Sequence, residues 1–261
     1  MSFLPSYKKD DRRHARYDNG GLRSRGMVQF EQAARTTSKV DAGHLASMRA
    51  ADDSQLRLIF NYAGIAVFAS SGVTVGVRKG FDLFGIATLG VLTGVGGGVL
   101  RDVLLDIMPP QSIQHWPNIT LALIAVAVVT PFAKVVIRMN RSVLVLDAIG
   151  MGFFTTSGAA IAADAGASWF AAGLIGMLTA IAGGMLRDVL AGEVPFVMGP
   201  DDLYAIPAML GAATYVAIDY FGPQWIGIAV GSTLATLLRL ASLAFHWRLP
   251  TGPRELIAPD E

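Results

Sequence analysis

Residues 84–104 read FGIATLGVLTGVGGGVLRDVL and residues 170–190 read FAAGLIGMLTAIAGGMLRDVL, one text written twice, 86 positions apart and identical at 11 of 21. A shared GGxLRDVL does not arise by chance from an apolar composition, so the chain contains an internal repeat. At the same offset the preceding stretch also agrees, through Gly64 with Gly150, Phe68 with Phe154, Ser71 with Ser157 and Gly72 with Gly158. The repeated unit therefore covers more than one apolar segment.

The surrounding composition states the environment. Of 261 residues, 52% are hydrophobic and 16% charged, with a mean hydropathy of +0.48, against about 25% charged in an ordinary soluble domain. Of the 21 Lys and Arg, 11 fall within residues 1–57, so the rest of the chain is more apolar still. A helix needs about 20 mainly apolar residues to cross roughly 30 Å of hydrocarbon. Seven stretches qualify: 58–77, 83–100, 118–137, 143–163, 165–186, 203–218 and 220–238, with Asp219 between the last two and a turn around Phe221, Gly222 and Pro223. Residues 1–55, rich in Arg, Asp, Ser and Gly, hold no such run and no signal-peptide core; they are expected to be a disordered basic tail, solvated rather than bound to nucleic acid.

These runs predict an all-α polytopic membrane protein of seven transmembrane helices. Residues 56–140 form the first three-helix repeat, 141–222 the second, 223–246 the seventh helix and 247–261 a C-terminal tail. Because three is odd, the second copy enters the membrane from the opposite side and the repeats are inverted, an arrangement characteristic of transporters and some channels. Lys and Arg near the span ends (Arg78, Lys79, Lys134, Arg138, Arg141, Arg239) gather on one side, which places the N-terminus outside and the C-terminus in the cytoplasm.

Cysteine is absent, which excludes disulfides, thiolate nucleophiles and Cys-ligated metals, and the four histidines are dispersed. No metal site, cofactor or catalytic residue is expected: there is no nucleophile beside a base, no HExxH and no phosphate loop preceded by a strand. The chemistry lies in the repeat. Gly96, Gly97 and Gly98, and Gly183 and Gly184, each cost about 1 kcal/mol against alanine inside a helix. Either they break the helices and bare carbonyls that replace a cation's hydration shell, or they let helices pack closely, as Gly94 with Gly98 and Gly227 with Gly231 would also do. Arg101 with Asp102, and Arg187 with Asp188, bring charge into or beside the spans, where it is costly and by default functional. Neighbours on a helix point about 100° apart, so each member is expected to find its partner elsewhere and to latch a mouth of the pathway, or else to anchor a helix end. Lys134 and Asp147 are expected to snorkel at the interface, and Trp116, Trp169, Trp225 and Trp247 to form an aromatic belt.

At GVGGGVLRDVL and AIAGGMLRDVL the sequence resembles the bacterial branch of the trimeric intracellular cation (TRIC) channels, whose members share a glycine transporter domain; the likeness covers roughly residues 56–245. It implies a homotrimer in the bacterial inner membrane, in contact with lipid, each subunit passing potassium and other monovalent cations through a pore lined by glycine-broken helices two and five. It carries the motif roles onto Gly96, Gly97, Gly98, Arg101, Gly183, Gly184 and Arg187, with Ala182 standing where the first copy has Gly96. A pore predicts a polar path along Ser71, Thr93, Ser157 and Thr179 with Asp102 and Asp188 at its mouths. The alternative is a secondary transporter of a small neutral solute such as glycine, which predicts an occluded pocket instead.

Overall fold

A computed structural model describes residues 53–138, 141–199 and 203–247, so the tail predicted for the first 55 residues lies almost wholly outside the described part, as does most of the C-terminal tail. The described residues are all-helical apart from turns and loops: α1 (Asp53–Arg78), α2 (Leu83–Leu104), α3 (Gln111–Gln114), α4 (Trp116–Arg138), α5 (Ser142–Asp164), α6 (Trp169–Leu190), a 3-10 turn (Phe196–Met198), α7 (Ala205–Phe221) and α8 (Gln224–Phe245). Five of them, α1, α2, α5, α6 and α8, are long and apolar enough to cross a membrane; α4, through its stretch Trp116–Phe132, and α7 are shorter apolar helices.

The repeat is written into the helix ends as well as the motif. Gly80 and Gly166, 86 residues apart, both have positive φ (71° and 86°) just after α1 and α5, where a side chain would be strained. Two residues on, Asp82 accepts from the Gly85 N–H at 2.7 Å and Ser168 accepts from the Ala171 N–H at 3.3 Å, capping α2 and α6. Those helices also end alike, on Asp106 and Gly192 at positive φ. Local chemistry thus starts and stops corresponding helices at corresponding residues.

Packing follows the same exchange. The Phe68 ring stacks on Phe154 with centroids 5.3 Å apart, and each ring lies over the other's glycine, Phe154 against Gly64 and Phe68 against Gly150. Gly72 admits Thr93 and Gly158 admits Thr179, seating α1 on α2 and α5 on α6. At the centre α2 crosses α6: a Cβ on Gly97 would strike the Thr179 carbonyl, and one on Gly183 would come within 2.7 Å of the Thr93 carbonyl. Outside the repeat, α8 lies on α5 and α7, with Gly211 and Gly231 each facing the other's carbonyl and Gly152 facing Ser232. Small residues let backbones approach where no hydrophobic difference from lipid drives association.

One expectation is corrected here. α2 and α6 are continuous α-helices through Gly96, Gly97, Gly98, Gly183 and Gly184, not glycine-broken ones. The absent side chains are used by close neighbours rather than by a bend, so the helices free no run of carbonyls at these positions.

Candidate functional site

The last turns of α2 and α6 carry the two LRDVL segments. Arg101 and Arg187 stand near helix C-termini, where the macrodipole favours a cation, and all four charged residues are buried. Contrary to the expectation from helix geometry, each arginine pairs with the aspartate next to it: Arg101 donates from Nε and Nη2 to Asp102 Oδ1 at 3.0 and 2.8 Å, and Arg187 donates from Nε to Asp188 Oδ1 at 2.8 Å. The 100° between adjacent Cβ vectors is spanned because the long arginine stem curls back around the helix. Each aspartate then uses its second oxygen on the segment that follows. Asp102 Oδ2 accepts from the Ser112 N–H and hydroxyl, both at 2.8 Å, and Asp188 Oδ2 accepts from the Phe196 N–H at 3.0 Å. Both carboxylates therefore tie a connection to the helix before it.

Partners from elsewhere exist too, but they differ between the halves. Arg187 Nη1 donates to Ser71 Oγ at 2.6 Å and to Asp147 Oδ1 at 2.9 Å, and its guanidinium lies 5.1 Å over the Phe196 ring. Asp147 is fully buried, not snorkelling at an interface as expected; burial is tolerated because Arg187 neutralises it. The Lys134 side chain lies outside the described residues. Tyr204 adds a ring over which the Arg239 guanidinium sits at 4.8 Å, while Arg239 donates to the Leu203 carbonyl at 2.8 Å. In the first half, among the described residues, Arg101 bonds Asp102 and, at 3.3 Å, Ser112, whose carbonyl accepts from Asn118 Nδ2 at 3.3 Å.

Of the residues singled out from sequence, the structure thus gathers Arg187, Asp188, Ser71 and Gly184 in one cluster, and Arg101, Asp102 and Gly98 in another. Gly184 and Gly98 are needed there: a Cβ on Gly184 would sit 2.6 Å from the Tyr204 hydroxyl and 2.8 Å from Asp147 Oδ1, and one on Gly98 would strike Ser112 Oγ. Thr93 and Thr179 lie between the clusters at the α2–α6 crossing, both fully buried, each hydroxyl donating at 2.6 Å to its own helix, to Leu89 and Ile175 carbonyls. Ser157 is buried in α5. Gly96 meets only the tip of Leu186, which explains why Ala182 is allowed at the corresponding place. The sequence reading missed Ser112, Asn118, Tyr204 and Arg239 as members of these clusters. An acid or arginine inside an apolar run was a signal for Asp147 and Arg239; nothing comparable marked the others. The tryptophans Trp116, Trp169 and Trp225 stand exposed at helix starts.

A bundle of long apolar helices, with buried charge at the ends of a duplicated pair, defines a polytopic helical membrane protein. Comparison with known proteins places it further. The glycine transporter family model matches twice, over residues 58–134 and 144–220, reproducing the 86-residue offset. A UPF0126 membrane protein of Deinococcus radiodurans is 38% identical over 72% of this chain and 87% of its own length. The UPF0126 inner membrane protein YadS of Escherichia coli is 34% identical over 72% and 92%. Among solved structures, the TRIC trimeric intracellular cation channel orthologue from Rhodobacter sphaeroides superposes with a TM-score of 0.70 at 35% identity, covering 72% of this chain and 97% of that one. A prokaryotic TRIC channel crystallised in 0.5 M KCl gives 0.69 at 31%, over 75% and 100%. The chain belongs to the glycine transporter domain family, the bacterial relatives of the TRIC channels.

Proposed function

We propose that the protein is a homotrimeric inner-membrane channel for monovalent cations, potassium among them, with a pore in each subunit. The carrying observation is likeness to the solved cation channels over nearly their whole length. In this reading α1, α2, α4, α5, α6, α7 and α8 all cross the membrane, with α8 outside two inverted three-helix repeats. The reciprocal contacts of Phe68 with Phe154 and of Gly97 and Gly183 with opposite threonine carbonyls support a two-fold relation between the halves. With an odd number of spans the termini lie on opposite faces, the N-terminus outside.

The path follows α2 and α6 past Ser71, Thr93, Ser157 and Thr179, whose hydroxyl oxygens can replace ion hydration without adding fixed charge. The two Arg-Asp clusters close its mouths. Arg187 bonds two carboxylates, Asp147 and Asp188, with the Arg239 guanidinium close by over the Tyr204 ring, so the charges at that mouth balance. The family model's description favours a second reading, a carrier of a small neutral solute such as glycine.

Planar bilayers under a potassium gradient separate the two. Discrete single-channel steps from wild type that vanish in folded Gly97→Leu and Gly184→Leu support the channel. Silence from well-folded trimers, with saturable glycine uptake in liposomes, makes the protein a carrier.

A further inference from the structure

The internal repeat gives each residue of one half a counterpart 86 positions on, and around the two arginines the counterparts fill space differently. Asn61, Arg101, Gln111 and Asn118 correspond to Asp147, Arg187, Val197 and Tyr204. In the first half those four line a cavity of about 320 Å3 with Tyr62 and His115, and Asn118 folds back on α3, donating to the Ser112 carbonyl at 3.3 Å. In the second half the corresponding room is taken by aromatic rings. Tyr204 is 4% exposed, and its hydroxyl reaches α6 at Gly184. Its ring centroid lies 6.5 Å from that of Phe196, which in turn covers the Arg187 guanidinium. Arg101 thus forms part of a cavity wall, whereas Arg187 is sealed.

The Tyr204 ring is held from outside the repeat. α8 supplies Arg239, whose guanidinium lies 4.8 Å over the ring and donates to the Leu203 carbonyl at 2.8 Å, and Ser242, whose hydroxyl accepts from the Leu203 N–H at 2.9 Å. These contacts pin both Tyr204 and the residue before it at the entry to α7. We infer that Tyr204 is a lid over the Arg187 mouth, latched by α8, with no equivalent at the Arg101 mouth, where asparagine stands in its place. The inference rests on the proposed reading that both clusters are mouths of one path: an apolar constriction gates by excluding water, and turning the ring out leaves at Arg187 a cavity like that at Arg101.

The chain has no cysteine, so cysteines introduced one at a time report access. The test is the rate at which a water-soluble cationic methanethiosulfonate labels them in the purified full-length protein in detergent. Asn61→Cys, on the cavity wall, is labelled readily, and Ser71→Cys, beside Arg187, is protected. Tyr204→Asn, which installs the residue of the first half, accelerates labelling of Ser71→Cys by about ten-fold or more, the shift in open population that loss of a desolvated cation–π contact allows. Tyr204→Phe keeps the ring and the protection. Ala160→Cys, buried in a separate apolar cluster with Tyr215 and Ile228, stays protected throughout and reports general loosening. Arg239→Lys leaves Tyr204 in place and loosens its latch; it moves Ser71→Cys the same way and covers the case of a Tyr204→Asn protein that does not fold. No labelling of Asn61→Cys, labelling of Ser71→Cys as fast with Tyr204 as without it, or acceleration only together with Ala160→Cys overturns the inference. Potassium flux in liposomes separates it from the channel reading: flux with Ser71→Cys unmoved sinks the lid alone, and a movable lid without flux in any variant sinks the channel alone.

Discussion

Asp147 Oδ1 lies 2.9 Å from Arg187 Nη1, with both side chains completely buried. Two charges from α5 and α6 thereby hold together helices that the apolar surface alone would let slide, since lipid tails solvate leucine as well as a protein core does. Removing Asp147 leaves Arg187 dry with Asp188 as its remaining carboxylate, so the loss falls below the roughly 3–5 kcal/mol of a buried charge left wholly unpaired. Asp147→Leu therefore unfolds at lower denaturant or temperature in detergent, and Arg187→Met loses more, because it strips the buried Asp147 and Asp188 of their shared arginine. A double-mutant cycle measured by circular dichroism reads the coupling directly.

The glycines of one motif differ in what they face, so they differ in tolerance. Gly97→Ala drives a methyl group into the Thr179 carbonyl of the opposing helix, which cannot swing aside; overpacking of this kind costs about 1–3 kcal/mol. Gly96→Ala meets only the end of Leu186 and gains up to about 1 kcal/mol of helix propensity. Thermal melts of the two variants are expected to move in opposite directions or, at the least, to separate by several degrees.

Thr93→Val and Thr179→Val remove hydroxyls that already bond their own helices while keeping volume. If potassium passes the α2–α6 crossing, single-channel conductance falls in both variants and by similar factors, because the two positions correspond in the repeat, while trimer elution from size exclusion is unchanged. Conductance equal to wild type in both moves the path away from this crossing.

Arg239 fastens the entry to α7 by its bond to the Leu203 carbonyl and its place over the Tyr204 ring. A desolvated cation–π contact is worth about 2 kcal/mol, and lysine cannot reproduce the planar stacking. Arg239→Lys is expected to lose part of the melting temperature and Arg239→Ala more, and hydrogen exchange at residues 203–206 is expected to accelerate in both.

Much of the architecture was legible in the chain because its causes are local. Apolar runs place most of the long helices to within a few residues, as with 143–163 against Ser142–Asp164, while the last, 220–238, stops short of a helix that continues to Phe245, and the 86-residue identity reveals the duplication that the family match then repeats. The motif residues were likewise legible, since glycine and paired charge are conspicuous in apolar sequence. Helix continuity was not: a glycine run lowers the cost of a bend and of close contact alike, and only the neighbouring helix decides which occurs.

What the sequence determined by itself, then, was a duplicated helical membrane unit with an arginine and an aspartate at the end of each central helix. What the tertiary structure decided was which partners the buried charges of the motif take. Arg101 and Arg187 curl onto their own neighbours, and Asp147 turns inward to Arg187. Helix assignment depends on residues a turn or two apart, whereas a buried ion pair joins residues as distant as Ser71 and Arg187, and which of them meet depends on how the helices cross.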